Sequence, residues 1–88
     1  MASKRLLKRD MNNVFGDIIE AAYIHQETHP DEDPAKTEAI VDEAIADFDA
    51  LIVQINQKDV ENKKQHFKAV EKEFGAKAEA LVQKVNAL

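Results

Sequence analysis

The stretch from Pro34 to Ile55 constrains this chain more than any other. Eight of its apolar residues are Ile40, Val41, Ala44, Ile45, Phe48, Leu51, Ile52 and Ile55. At about 100° per residue they fall in one helical arc about 140° wide. Glu38, Asp42, Glu43, Asp47, Asp49 and Gln54 fall outside that arc. The seam between two helices is narrower than this. An arc so broad needs two neighbours, so the stretch reads as the middle helix of a three-helix bundle.

The flanking segments fit that reading. Ser3 is a good N-cap, and a first helix is expected over residues 3–28. Its inward arc holds Leu7, Met11, Val14, Phe15, Ile18 and Ala22, and extends to His25 and His29. Leu6 and Ile24 point elsewhere and are expected to be partly exposed. The run from His29 to Pro34 contains both prolines of the chain. Each proline disfavours helix for the residue before it, and Asp33 before Pro34 suits a helix start. The second helix is expected over 34–56 and the third over 59–87, with Asp59 as its cap. Val60, Phe67, Phe74, Leu81 and Leu88 recur every seven residues, with Val70, Ala78, Val82 and Val85 beside them. The turn at 56–59 holds no glycine or proline. One continuous helix from 34 to 88, in a hairpin that dimerises into a larger bundle, is the alternative. The expected fold is therefore all-α, an antiparallel three-helix bundle in one domain, residues 1–88. Its expected core is Met11, Val14, Phe15, Ile18, Ile45, Phe48, Ile52, Ile55, Phe67, Phe74, Leu81 and Val85.

Charge and composition exclude several functions. The net charge is −5, and residues 31–56 carry eight acidic groups against one basic. An acidic middle disfavours nucleic-acid binding, which needs a basic face against phosphates. There is no cysteine, so thiolate metal sites, disulfides and cysteine nucleophiles are out. The chain has one serine and two glycines, which leaves no phosphate-binding loop and no serine triad with a glycine turn. A di-iron bundle needs inward glutamates and Glu-x-x-His pairs, and the chain has neither. No enzyme activity, cofactor or small-molecule substrate is implied. Leu6 and Leu7 run straight into Lys8, Arg9 and Asp10, and no apolar run reaches membrane-spanning length. A soluble, cytoplasmic protein is the expectation.

Three surfaces are candidates for function. On the outer side of the first helix, Asn12, Gly16, Ile19 and Tyr23 share a face. A mid-helix glycine costs roughly 1 kcal/mol relative to alanine. Its place beside apolar residues suggests close approach by a partner helix or a second copy. This makes a non-enzymatic protein–protein interaction module, with self-association as one form of it, the leading reading. His25 and His29 are four apart on one helical face, with Asp31 and further acids just beyond. His25, His29 and Asp31 are candidate ligands for Zn²⁺ or a similar ion. The competing reading has His25 finishing the core stripe and His29 capping the helix end. Lys4, Arg5, Lys8 and Arg9 form a basic patch that could meet anionic lipid or nucleic acid. The competing reading matches that patch to the C-terminal end of the second helix and to Asp59 and Glu61.

Overall fold

The computed structural model describes residues 4–88 and is all-α. Three helices follow in order: α1 over Lys4–Thr28, α2 over Ala35–Ile55 and α3 over Lys63–Asn86. They form a three-helix bundle in which each packs on the other two. Lys4, Ile55 and Phe67 meet at one end, while Lys36 and Ile40 meet Lys84 and Leu88 at the other. The course is therefore up, down and up. The expected Ser3 cap lies outside the described residues.

Each helix buries one stripe because its apolar residues recur at three- and four-residue steps. In α1 the stripe is Leu7, Met11, Phe15, Ile18 and Ala22. In α2 it is Thr37, Ile40, Val41, Ala44, Leu51 and Ile55. Val70 and Leu81 are the buried residues of α3, with Phe67, Phe74, Val85 and Leu88 packed against the core from its edge. Phe15 joins the three helices. Its ring centroid lies 6.0 Å from that of Phe48 at 75° and 5.7 Å from that of Phe74 at 50°. Edge-to-face and tilted contacts of this kind add about 0.5–1.5 kcal/mol each beyond area burial.

The structure corrects the expected core at Ile45, which is 47% exposed. The buried stripe of α2 centres on the line from Thr37 to Ile55, and Ile45 sits about 80° from it at 100° per residue. It is the outermost of the eight residues of the apolar arc, whereas Leu51, nearer the centre, is wholly buried. Thr37 lies on the centre line and is buried despite its hydroxyl. That hydroxyl donates to the Pro34 carbonyl at 2.9 Å and accepts from the Gln26 side chain. A buried polar group so satisfied carries little penalty.

The turns also differ from expectation. Helix α2 opens one residue later than Pro34, although the Asp33 carboxylate does accept the Ala35 N–H at 3.0 Å. Residues 56–62 are non-helical, so α2 and α3 are separate and the continuous helix is not formed. Asn62, not Asp59, caps α3, its side chain accepting the Gln65 N–H at 3.1 Å. Val60 therefore leaves the heptad seam and sits in the turn. His66 donates from Nε2 to the Gln54 carbonyl at 2.6 Å, tying the start of α3 to the end of α2. Lys77 pairs with Asp47 at 3.2 Å and Lys84 with Glu43, which fixes the antiparallel register of α3 on α2.

Candidate functional site

The late start of α3 opens a groove at the turn end of the bundle. Its volume is about 790 Å³, within the roughly 300–1,000 Å³ typical of ligand sites. Ile55 from the last turn of α2, Val60 from the connection and Phe67 from α3 supply the apolar lining. Around them stand Lys4, Lys58, Lys63, Lys64 and Lys68, against one acid, Glu71. Five of the twelve basic residues of an acidic chain thus line one concavity. Each of these lysines is exposed. Their charges repel one another, and the groove favours an anionic occupant.

The expected basic patch contributes here only through Lys4. Lys4 lies beside the C-terminal end of α2, but among the described residues no ion pair joins the patch to Asp59 or Glu61. Among the described residues the ion pairs are His25–Glu32, Lys77–Asp47, Lys77–Glu73 and Lys84–Glu43. None of them joins Lys4, Arg5, Lys8 or Arg9 to Asp59 or Glu61. The sequence reading missed the groove. Its one visible signal was the lysine excess of residues 58–68 beside Val60 and Phe67.

At the opposite end, the last turn of α1 and the turn after it form a second cluster. The rings of His25 and His29 stack with centroids 4.1 Å apart at 14°. His25 Nε2 lies 2.7 Å from a Glu32 carboxylate oxygen. His29 Nδ1 donates to the His25 carbonyl at 3.1 Å and lies 2.9 Å from the Thr28 hydroxyl, so His29 does cap the helix. The chain turns back here because the Glu32 N–H bonds the His29 carbonyl at 3.1 Å. That turn delivers Glu32 to the imidazoles and leaves Asp31 outside the cluster, exposed. The hydrogen bond from His25 holds the Glu32 carboxyl below its ordinary value, aided by the charges of His25, His29 and Lys36. His66 is at the other end of the molecule, on Gln54.

On the outer face of α1, Asn12, Gly16 and Tyr23 are exposed, Tyr23 at 49%. Ile19 is half-buried and packs on the chain's own core. A Cβ placed on Gly16 would meet nothing within 4 Å, so no helix of this chain approaches it. Among the described residues no helix is long and apolar enough to cross a membrane. No protein-family model, curated protein or solved structure matches the chain.

Proposed function

We propose that this protein is a non-enzymatic interaction module that takes an acidic, amphipathic segment of a partner protein into the groove between the α2–α3 turn and the start of α1. The observation that carries this reading is the segregation of charge. A chain of net charge −5 gathers five lysines around an apolar floor. Helix-in-groove recognition uses this arrangement, with apolar anchors for affinity and rim charges for register and encounter rate. A narrow segment suits it better than an anionic bilayer. A bilayer is broad and would bring its charge against acidic α2 as well as against the lysines. In this reading the module acts in the cytoplasm and has no catalytic role, and its charged side chains serve solvation and recognition.

A fluorescein-labelled helical peptide with leucines at i, i+4 and i+7 and glutamates elsewhere tests the proposal by fluorescence anisotropy. Saturable binding is expected, weakening as salt rises past about 0.1 M, where the screening length is near 10 Å. Reversal of two rim charges in Lys63→Glu/Lys64→Glu should weaken it by about tenfold or more, or ~1.4 kcal/mol. Tyr23→Glu, on another face, should leave it unchanged. A peptide with lysines in place of the glutamates should not bind. No saturable binding, or binding indifferent to the charge reversal, would overturn the proposal.

A further inference from the structure

The opposite end of the bundle carries chemistry that groove binding does not use. We propose that His25, His29 and Glu32 form a site for a divalent transition-metal ion of the zinc and copper class. Their ligand atoms already lie within 4.8 Å of one another. Two imidazoles and a carboxylate suit Zn²⁺, Ni²⁺ or Cu²⁺, whereas Ca²⁺ and Mg²⁺ prefer an all-oxygen shell. Around a tetrahedral ion with bonds near 2.1 Å, ligand atoms sit roughly 3.4 Å apart. The His25–Glu32 contact must therefore open from its 2.7 Å hydrogen bond, while His29 must swing inward from the stack. Rotations of the side chains supply such shifts. Both His29 and Glu32 are exposed, which leaves room for them.

The hydrogen bonds indicate which atoms would ligate. His29 Nδ1 is engaged with the His25 carbonyl, which leaves Nε2 as its atom for the ion. Second partners of this kind orient a ligating imidazole and fix its tautomer. His25 would shed the Nε2 proton it shares with Glu32, and both groups would then turn the same atoms to the metal. Where His25 starts as an imidazolium that proton leaves to solvent; where it starts neutral the proton moves to Nδ1 and none is released. Three protein ligands leave a coordination position for water. Since the ligands come from α1 and from the turn that leads into α2, the ion would clamp that turn. Asp31 and Asp33, on the same turn, add negative charge that favours a cation.

Untagged protein titrated with ZnCl₂ tests this by calorimetry and by thermal unfolding. One equivalent should bind, with a saturable rise in the unfolding temperature. Outer partners of metal ligands already act at about 10–100-fold in affinity, so losing a direct ligand in His25→Ala or His29→Ala should weaken binding at least that much. Glu32→Gln, at an exposed site, should weaken binding without loss of helicity by circular dichroism, and His66→Ala should bind like wild type. Co²⁺ in place of Zn²⁺ should give the visible absorption of a low-coordinate nitrogen and oxygen site. Absence of saturable binding at millimolar ZnCl₂ overturns the proposal. So does affinity that persists in both Glu32→Gln and His25→Ala, or that is lost in His66→Ala instead.

Discussion

Gly16 shows how much one residue can say and where its meaning stops. In sequence it is a helix-weakening residue beside Ile19 and Tyr23, which suggested a closely packed neighbour. In the bundle Ile19 turns to its own core and nothing lies near the absent Cβ. Glycine in a helix interior is weaker than alanine by about 0.5–1 kcal/mol, through backbone entropy. Gly16→Ala should therefore stabilise the protein by about that amount and raise its unfolding midpoint by roughly 2–8 °C. Thermal unfolding followed by circular dichroism checks this, and a fall in the midpoint would reveal a contact that the added methyl obstructs. Ile45 and Leu51 teach a related lesson. Both lie on the apolar arc, but one is half-exposed and the other wholly buried. Residue type alone does not distinguish them; distance from the stripe centre does.

At the scale of elements, the α2–α3 connection matters most. Asp59 and Asn62 are both good N-caps, three residues apart. Sequence periodicity favoured the earlier one because Val60 extends the heptad. The structure uses the later one, with Asn62 accepting from Gln65 and His66 bonded to Gln54. The seven residues from Asn56 to Asn62 give the chain room to reverse, and they leave Val60 to line the groove. Loss of an N-cap costs about 0.5–2 kcal/mol, so Asn62→Ala should lower stability by roughly 1 kcal/mol. Asp59→Ala should change it by less than about 0.5 kcal/mol, as an exposed surface change. Urea midpoints for the two variants decide which residue starts the helix. The helices themselves were legible in advance, since their periodicities and the two prolines are local signals. The starting residue was not, because two equal caps are resolved only by what α3 must reach.

For the whole molecule, burial and charge are unevenly shared. Helices α1 and α2 contribute most of the buried stripe, while α3 contributes Val70 and Leu81. The rest of α3 is held by half-buried apolar side chains and by pairs such as Lys77–Asp47. That pair is part-buried, whereas an exposed pair such as Lys84–Glu43 contributes about 0–1 kcal/mol. Regions with few buried contacts open first. Backbone amides of α3 should therefore exchange faster than the central amides of α1 and α2, by about tenfold or more, a difference of ~1.4 kcal/mol in opening. Deuterium exchange read by mass spectrometry checks the order, and equal protection of all three helices would show that the bundle opens as one unit. Fraying of α3 from its start would also widen the lysine-rimmed groove, which links the weakest helix to the proposed binding surface.

The sequence by itself determined three amphipathic helices, their approximate limits and an acidic middle. Those properties follow from residue spacing along the chain, which folding cannot change. Tertiary structure alone decided the two sites. The groove joins Lys4, Ile55, Val60 and Phe67, which come from three separate segments up to sixty-three residues apart, with only Val60 and Phe67 related by the heptad. The histidine pair was visible from its spacing of four. Its carboxylate partner was not, because Glu32 rather than Asp31 reaches the imidazoles through one turn hydrogen bond at His29. A helix repeats, so its faces can be read from its letters. A turn does not repeat, and a concavity belongs to several elements at once, so both are fixed only when the helices pack.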